Sequence, residues 1–285
     1  MRVLVTGAGG QLGHDLRTHC EAMGDEVVAA THATLDVADR DAVYQAVLSV
    51  RPDVVLHAGA WTAVDACEGD PERAFRVNAL GTRWVADASR RAGAYLCYVS
   101  TDYVFDGTKA GPYVEWDPTG PQSVYGASKL GGEHEVAAHA PGACTVRTSW
   151  VCGEHGRNMV KTVLGLADRP ELAFVDDQRG CPSFTADLAV AIRSLAASRM
   201  PGTFHVTNQG VACWYEFARD ILTTLGQDPG KVRPITTADL DPPRPAPRPA
   251  NSVLDNAALR AAGLPLLPHY RDSLELLVKR LTVTG

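Results

Sequence analysis

Two features are missing from this sequence of 285 residues: a long apolar run and an excess of positive charge. No stretch approaches the roughly 20 apolar residues of a membrane-spanning helix, and Met1-Arg2 lead into a strand-like segment rather than a signal peptide. Lysine and arginine total 27 against 33 aspartate and glutamate, and no basic stripe follows any amphipathic segment. We therefore expect neither a membrane nor a nucleic acid as a partner.

Cysteine is sparse, and its spacing suggests no pairing. The seven cysteines are odd in number, widely scattered and never in a C-x-x-C arrangement. This pattern argues against a disulfide framework and a cysteine-ligated zinc ion, and it is typical of reduced thiols in the cytoplasm. The hydrophobic fraction of 45% is ordinary for a globular protein, and the length allows one large domain or two coupled ones.

The first half alternates short apolar runs with segments of helical periodicity, which indicates βαβ units. Strands are predicted at 2–6, 26–30, 54–57, 95–100 and 144–148. Helices are predicted between them at about 11–23, 39–50, 71–92 and 124–139. The expected fold class is α/β, with a Rossmann-type doubly wound parallel sheet that binds its ligand beyond the carboxyl ends of the strands.

The second half is less regular. Segments 158–167, 184–197 and 214–225 have helical periodicity, and 202–206 resembles a strand. Residues 241–250 contain five prolines, which lack a backbone donor and exclude both a helix and a central strand. Because only about 35 residues follow, too few for a domain, we expect an ordered loop over the body of the protein rather than a linker.

Three glycines follow the first predicted strand at the spacing of a dinucleotide-binding loop. Gly7 permits the tight turn, Gly10 lets the backbone approach a pyrophosphate, and Gly13 allows the helix and the strand to pack closely. Gln11 and Leu12 open the next helix, whose N-terminus attracts anions. A plain strand-to-helix turn is the alternative, but the position between a strand and a helix favours a cofactor site.

The spacing G-x-x-G-x-x-G is the form found in extended short-chain dehydrogenases/reductases. Asp36 and Val37, after the second strand, resemble the pair that contacts adenine in such proteins, with a solvated loop aspartate as the competing interpretation. Residues 29–32, at the end of that strand, include neither a carboxylate for the ribose hydroxyls nor an arginine for a 2′-phosphate. The sequence therefore permits NADPH as well as NADH.

Tyr125 and Lys129, four residues apart, are predicted on one face of a helix with only small residues between them. A free phenol has a pKa of about 10, and a neighbouring ammonium group would stabilise its phenolate while donating to ribose hydroxyls. Thr101, at the end of the fourth strand, would bind the substrate oxygen. Each feature alone arises by chance, but with the glycine loop they predict reduction of a carbonyl group.

Five sequence blocks together resemble the dTDP-4-dehydrorhamnose reductase family and cover the whole chain. They are YVSTDYVFDGT (98–108), VYGASKLGGE (124–133), VRTSWV (146–151), VDDQRGCPS (175–183) and RPANSVLD (248–255). The resemblance implies NADPH- or NADH-dependent reduction of the C4 ketone of dTDP-6-deoxy-L-lyxo-4-hexulose to dTDP-L-rhamnose. It also implies a catalytic triad of Thr101, Tyr125 and Lys129, in which Tyr125 gives the proton to the carbonyl oxygen and Lys129 lowers the tyrosine pKa.

The same resemblance assigns further residues to the two ligands. The residues expected to contact the dTDP-sugar are Thr101, Asp102, Tyr125 and Trp150. The residues expected along the cofactor, besides the glycine loop, are Ala60, Trp61 and Thr62. Residues 1–150 with about 184–210 would form the dinucleotide-binding domain, and 151–183 with 211–285 the part that binds the sugar nucleotide.

Some members of the family bind Mg²⁺ at a homodimer interface through acidic residues and a serine. The positions that match best here are Asp15, Asp187 and Ser252, with aspartates where glutamates are usual. Cys152 and Ser183 also depart from the family pattern, where an aromatic residue and a threonine are usual. These departures bear on the identity of the sugar more than on the type of reaction.

Three other functions compete with this one. A nucleotide-sugar 4,6-dehydratase needs a glutamate after the aspartate beside Thr101, whereas Asp102 is followed by Tyr103. A reductase of another dTDP-4-ketodeoxysugar would share the triad, so turnover with defined ketosugars separates the two. A non-catalytic NADP-binding regulatory subunit of the methionine adenosyltransferase type has no need for an intact triad.

Overall fold

The computed structural model describes residues 1–283, which form twelve β-strands and eleven α-helices. The strands are β1 (Arg2–Thr6), β2 (Glu26–Ala30), β3 (Val54–His57), β4 (Tyr95–Thr101), β5 (Cys144–Thr148), β6 (Val151–Cys152), β7 (Leu172–Val175), β8 (Arg179–Gly180), β9 (Ser183–Phe184), β10 (Gly202–His205), β11 (Ala212–Cys213) and β12 (Val232–Ile235). The helices are α1 (Gln11–Ala22), α2 (Arg40–Val50), α3 (Val64–Gly69), α4 (Pro71–Phe75), α5 (Gly81–Ala92), α6 (Val124–His139), α7 (Met159–Gly165), α8 (Thr185–Ala197), α9 (Trp214–Thr224), α10 (Ala257–Ala261) and α11 (Tyr270–Val283). A π-helical turn, Arg76–Leu80, joins α4 to α5, and 3-10 turns lie at Asp102–Val104, Pro229–Lys231 and Thr237–Asp239. None of the helices within residues 1–283 combines the length and apolarity needed to cross a membrane.

Six parallel strands form the central sheet in the order β10-β5-β4-β3-β1-β2. All five strands predicted in the first half are confirmed, and β4 continues one residue further, to Thr101. The segment predicted at 202–206 joins the sheet edge as β10. The strand order changes direction between β1 and β3, which is where a doubly wound sheet opens a crevice for its ligand. The predicted fold class is therefore confirmed.

Alternate side chains of each strand pack on opposite faces of the sheet. Val3 and Val5 face the layer of α1 and α8, where Leu16 and Leu188 are fully buried. Leu4 faces the layer of α2, α5 and α6. Both faces are thus covered by helices, as the near-continuous apolar strands require, and only the carboxyl ends of the strands remain open to a ligand.

The second half builds its own hydrophobic cluster from α7, α9 and α11 around Phe217, Ile221 and Leu274. The helices predicted at 158–167, 184–197 and 214–225 are confirmed with slightly shorter bounds. The short paired strands, such as β6 with β9 and β8 with β11, were not predicted, and neither were α3, α10 and α11. Two-residue strands carry no periodicity that a sequence pattern could reveal.

The proline-rich segment 241–250 is an ordered loop, as predicted. The Arg248 guanidinium donates to the Asp65 carboxylate, and the Asp65 carboxylate also accepts from the backbone amide of Ala246. The carbonyl oxygen of Ala250 accepts from the Arg179 amide at 2.8 Å. The loop therefore lies on the body of the protein, where it connects α3 with β8.

Candidate active site

Backbone crowding after β1 requires glycine at two positions of the predicted cofactor loop. Gly7 has φ +69°, and a Cβ there would lie 2.7 Å from the Cα of Gly59. A Cβ on Gly13 would lie 2.1 Å from the Gly7 carbonyl oxygen. Helix α1 begins after Gly10 without a side-chain cap and without an acidic residue in its first turn, so its amide groups are available to an anion. This cradle fits the pyrophosphate of a dinucleotide.

Gln11 and Leu12 have different surroundings. Leu12 is buried in the core on the α1 side of the sheet, so its side chain packs rather than binds a ligand. The Gln11 side-chain nitrogen donates to the Arg157 carbonyl oxygen at 2.9 Å, and the Gln11 side-chain oxygen accepts from the Asn158 side-chain nitrogen at 2.8 Å. A Cβ on Gly156 would lie 2.6 Å from the Gln11 side chain. The loop between β6 and α7 therefore lies over the first turn of α1.

Val37 lies beside the segment that follows β3 and the start of α5, and the neighbouring Asp36 is half-exposed. The Val37 side chain is 3.5 Å from the position of a Cβ on Gly59, and a Cβ on Gly81 would lie 2.9 Å from the Val37 carbonyl oxygen. Asp36 is about half exposed and accepts from the Ala38 amide at 3.0 Å. A contact of Asp36 and Val37 with adenine stays a prediction.

The segment 60–62 follows β3 and is held by Asn78, which the sequence analysis missed. The Asn78 side-chain oxygen accepts from the Trp61 amide at 2.8 Å, and its nitrogen donates to the Trp61 carbonyl oxygen at 3.1 Å. The same nitrogen donates to the Ser128 hydroxyl at 2.9 Å. Asn78 is fully buried in the π-helical turn, and π-helical turns often occur at functional sites. No local pattern in the sequence marks such a turn.

Helix α6 directs Tyr125 and Lys129 toward the sheet. The Ser123 hydroxyl caps the helix by accepting from the Gly126 amide at 3.1 Å, which fixes where the helix begins. A Cβ on Gly126 would lie 2.2 Å from the Tyr103 carbonyl oxygen, so this turn packs directly on backbone. Tyr125 and Lys129 are 8% and 3% exposed, and both lie on the buried side of the helix.

Burial controls the ionisation of both side chains. It raises the pKa of the Tyr125 phenol above the ordinary value, although the interaction with the Thr101 hydroxyl acts in the opposite direction. Burial lowers the pKa of Lys129 to about 7, while the Glu133 carboxylate opposes this shift. The ammonium group donates to the Val99 carbonyl oxygen at 2.7 Å. Tyr125 is thus a protonated phenol here, and a lowering of its pKa by Lys129 stays a prediction for the ligand-bound protein.

Thr101 and Asp102 lie at the carboxyl end of β4 beside Tyr125. The Thr101 hydroxyl donates to the Asp102 carboxylate at 3.0 Å. The Ser149 hydroxyl donates to the other carboxylate oxygen at 3.0 Å, and Ser252 also interacts with this carboxylate. Burial raises the pKa of Asp102 in spite of these hydrogen bonds. The structure therefore brings the predicted Thr101, Asp102 and Tyr125 together and adds two serines to them.

A buried ion pair below this group was not predicted. The Glu133 carboxylate accepts from the Arg147 guanidinium at 2.7 and 2.9 Å and from the Ser100 hydroxyl at 2.6 Å. Both charged side chains are less than a tenth exposed. Glu133 lies one helical turn after Lys129, Ser100 precedes Thr101, and Arg147 lies on the neighbouring strand β5. The pair therefore ties together the elements that carry the predicted triad.

Trp150 has a left-handed backbone conformation, with φ +46°, which is uncommon for a bulky residue. Its indole stacks on that of Trp214, with ring centroids 3.5 Å apart and planes tilted by 5°. A Cβ on Gly180 would lie 2.5 Å from the Trp150 ring. The Trp214 indole nitrogen donates to the Gln178 side chain at 3.2 Å. The predicted substrate residue is thus one half of a tryptophan pair, and the sequence did not reveal its partner Trp214.

The three predicted magnesium ligands do not come together within one chain. Asp15 and Asp187 line the same cleft, but Ser252 does not lie there. The Asp187 carboxylate already accepts from the Asn208 amide at 2.7 Å. Ser252 is buried beside Asp102 because its backbone is hydrogen-bonded to β8. These three residues of one chain therefore do not form the oxygen-rich shell that Mg²⁺ prefers.

The chain is similar to known proteins over nearly its whole length. The chain matches the family described as RmlD substrate binding domain over residues 1–283. It belongs to this family. An RmlD-type relative named dTDP-4-dehydrorhamnose reductase, from Streptomyces griseus, is 44% identical over 280 residues, which are 96% of this chain and 91% of the relative. A probable dTDP-4,6-dihydroxy-2-methyloxan-3-one 4-ketoreductase of Streptomyces antibioticus is 42% identical over 281 residues, with 96% and 93% covered.

A solved structure of the same type agrees with the fold. The crystal structure of a dTDP-4-dehydrorhamnose reductase from Bacillus anthracis in complex with NADP has a TM-score of 0.92 and 36% identity. The alignment covers 98% of this chain and 99% of that one. Membership in the RmlD family confirms the resemblance drawn from the five sequence blocks.

Proposed function

We propose that this chain is an NADPH-dependent oxidoreductase that reduces the C4 ketone of dTDP-6-deoxy-L-lyxo-4-hexulose to dTDP-L-rhamnose. The observation that carries the proposal is the joint burial of Thr101, Tyr125 and Lys129 at the carboxyl ends of the strands, on the same side of the sheet as the glycine cradle. The names of the Streptomyces griseus relative and of the NADP-bound Bacillus anthracis structure support the substrate class and the cofactor.

The residues that would hold the cofactor follow from the geometry. The free amides at the start of α1 would bind the pyrophosphate, Val37 would pack on the adenine, and Lys129 would donate to a ribose hydroxyl. His32, at the end of β2, is highly exposed and is no carboxylate, so nothing at that residue repels a 2′-phosphate. When bound, NADPH supplies the hydride that adds to the carbonyl carbon.

Tyr125 would give its proton to the carbonyl oxygen as negative charge develops there. Its raised pKa keeps the phenol protonated before the reaction. The Thr101 hydroxyl, already beside the phenol, would turn its one proton from the Asp102 carboxylate to the same oxygen and donate a second hydrogen bond to it. The Lys129 ammonium would stabilise the phenolate that remains, and a solvent proton would then restore the phenol. A positioned proton donor of this kind contributes about 10² to 10⁴-fold to the rate.

The second half would bind the sugar nucleotide. The buried Asp102 carboxylate has spare lone pairs for a sugar hydroxyl, and the Trp150 indole supplies an apolar face. This division assigns 1–150 with about 184–210 to the dinucleotide and 151–183 with 211–285 to the sugar nucleotide. The separate hydrophobic cluster of α7, α9 and α11 supports it.

A second candidate is the reduction of another dTDP-4-ketodeoxysugar. The observation that favours it is the 42% identity to a probable ketoreductase from Streptomyces antibioticus whose name specifies a different sugar. Both reactions would use the same triad, and they would differ in the sugar contacts near Trp150, Cys152 and Ser183.

The decisive experiment supplies the purified protein with dTDP-6-deoxy-L-lyxo-4-hexulose and follows NADPH and NADH oxidation at about 340 nm, with the product identified by NMR. We expect dTDP-L-rhamnose from native protein and from the control Tyr44→Phe, and a loss of about 10³-fold in kcat for Tyr125→Phe. Oxidation only with other ketosugars would favour the second candidate. Cofactor binding without any turnover would contradict both and favour a regulatory subunit.

Two accompanying properties belong to the proposal. A cytoplasmic location is supported by the seven free, buried cysteine thiols. A homodimer remains a prediction, which light scattering of the purified protein tests through its molar mass. If Mg²⁺ binds through Asp15, Asp187 and Ser252, ligands must come from two chains, so removal of Mg²⁺ is expected to dissociate that dimer.

A further inference from the structure

Two histidines and an aspartate meet at one end of the cleft that Asp15 lines. His14 and Asp15 lie in the first turns of α1, and His155 lies in the loop between β6 and α7. One candidate ligand atom from each of the three residues lies within 4.8 Å of the others. The two imidazole rings are partly stacked, with centroids 3.5 Å apart and planes tilted by 35°. The cluster therefore joins residues that are 140 positions apart in the chain.

One atom of this cluster is buried without a partner. The His14 Nδ1 atom is shielded from solvent and makes no hydrogen bond, although the Asp15 carboxylate oxygen lies 3.7 Å away. Buried polar atoms are almost always paired, so an orphan of this kind indicates a missing ion or water. Because the Asp15 carboxylate oxygen lies 3.7 Å away, a cation between the two atoms would satisfy both.

The donor set selects the kind of cation. Imidazole nitrogen suits zinc, copper, iron and nickel, whereas Mg²⁺ prefers an octahedral shell of oxygen atoms. Two imidazoles and one carboxylate match the three protein ligands of common zinc sites. The magnesium set expected from the family resemblance is not assembled within one chain, and Asp15 instead stands beside two histidines.

We propose that His14, Asp15 and His155 bind a first-row transition metal, Zn²⁺ in particular, and that this metal fastens the 153–158 loop to α1. Two ligand atoms at about 2.0 to 2.1 Å from a tetrahedral zinc ion are about 3.3 Å apart. The His14 to Asp15 separation of 3.7 Å is already close to this value. The candidate ligand atoms of all three residues lie within 4.8 Å of one another, so no pair has to close by more than about 1.5 Å.

The metal would act beside the cofactor loop without touching the reacting atoms. The 153–158 loop is already joined to the start of α1 through the Gln11 hydrogen bonds with Arg157 and Asn158. A metal bound one turn further along α1 would restrict the same loop at a second point. Because Gln11 opens the helix whose amides face the predicted pyrophosphate, metal binding would hold the loop and the helix end in one arrangement. The site is independent of the reductase reaction and stands or falls separately from it.

The test measures metal binding directly. Protein freed of metal by a chelator is dialysed against buffered Zn²⁺, Ni²⁺ or Mg²⁺, and bound metal is counted by mass spectrometry while the affinity is measured by calorimetry. We expect about one zinc ion per chain and at least a tenfold loss of affinity in His14→Ala and in His155→Ala. The matched control is His139→Ala, because His139 also pairs with a carboxylate on a helix, Glu135, at 3.2 Å. Circular dichroism verifies that each variant is folded.

Two further readouts decide the result. Co²⁺ in place of zinc should give the visible absorption of a nitrogen- and oxygen-ligated site in native protein and in His139→Ala, and lose it in His155→Ala. Zinc should raise the Tm of native protein by a few degrees and should not raise the Tm of His155→Ala. The proposal is overturned if zinc does not bind stoichiometrically, if His155→Ala binds it as native protein does, or if millimolar Mg²⁺ displaces it.

Discussion

The floor of the candidate site and its wall are built by opposite means. The floor consists of Thr101, Tyr125 and Lys129, which lie on long regular elements, β4 and α6. These side chains are less than a tenth exposed, and an ion pair below them joins the two elements to β5. Every member of the floor is thus held by several neighbours at once.

The wall consists of Trp150, which precedes β6, Gly180, which ends β8, and Trp214, which begins α9. Its indoles are half-buried, and one of them sits on a residue with positive φ. Its geometry depends on the stacking of the two indoles, on the hydrogen bond from Trp214 to Gln178 and on the absence of a Cβ at Gly180. Several contacts thus hold the proposed catalytic residues in place, whereas a single substitution can reshape the proposed sugar contact. Changes in the floor should stop turnover, and changes in the wall should alter substrate binding.

The largest effect is expected for Lys129→Met, which removes the charge from the floor and keeps the side-chain length. We expect kcat/KM to fall by about 10³-fold, within the range for groups that assist proton transfer. Because burial lowers the pKa of this ammonium group to about 7, an apolar side chain should leave Tm unchanged or higher. Lys279→Met, on the exposed face of α11, is the control. A folded Lys129→Met protein with a tenth of native activity would contradict the proposed role.

Glu133→Gln should show whether the ion pair of Glu133 and Arg147 influences the ionisation of Lys129 in the triad or only stabilises the fold. Loss of the carboxylate charge removes the effect that raises the Lys129 pKa, so the alkaline limb of the kcat/KM profile should move to lower pH. The Arg147 guanidinium would lose its buried counter-charge, at a cost of about 3 kcal/mol in the free energy of unfolding. Glu135→Gln, on the same helix but more exposed, should change neither quantity. An unchanged pH profile would show that Glu133 serves stability alone.

The floor was also the more predictable region from the sequence. Local sequence patterns indicated the five apolar strands, the glycine loop and the pairing of Tyr125 with Lys129 on one helix face. The pairing of Glu133 with Arg147 and the contacts of Asn78 join separate elements, and no local pattern contains them. The arrangement of the wall could not be predicted for a further reason. Two-residue strands have no periodicity in the sequence, and the positive φ of Trp150 depends on its packing.

A smaller effect is expected from the acid sensitivity of His57, a buried residue whose pKa is influenced by Lys129 of the floor. His57 ends β3 between the hydroxyls of Thr6 and Thr82, at 2.6 and 3.1 Å, and burial together with the Lys129 charge lowers its pKa to about 3. Below about pH 6.5 the histidine of the unfolded chain binds a proton, whereas the buried His57 of the folded protein does not. The free energy of unfolding is therefore unaffected by His57 above about pH 6.5 and decreases as the pH falls from about 6.5 toward 3. Between pH 7 and pH 5 this decrease in the free energy of unfolding amounts to about 2 kcal/mol.

Urea unfolding of native protein and of His57→Gln at both pH values measures this difference. The loss of free energy of unfolding on acidification should be about 2 kcal/mol smaller in the variant. His32→Gln changes a histidine whose side chain is 86% exposed and should behave as native protein does. An equal pH dependence in all three proteins would mean that His57 is charged in the folded state.

The smallest expected effect lies in the wall, where Gly180→Ala places a methyl group 2.5 Å from the Trp150 ring. This distance is too short, so the Trp150 indole must move. Because Trp214 stacks on one face of the indole, the ring cannot move in that direction. We expect KM for the ketosugar to rise about tenfold, or about 1.4 kcal/mol, while kcat and the affinity for NADPH change little. Gly165→Ala is the control, since no atom lies within 4 Å of its added Cβ. If kcat falls as far as KM rises, the wall positions the reacting carbonyl as well, and the separation between floor and wall is lost.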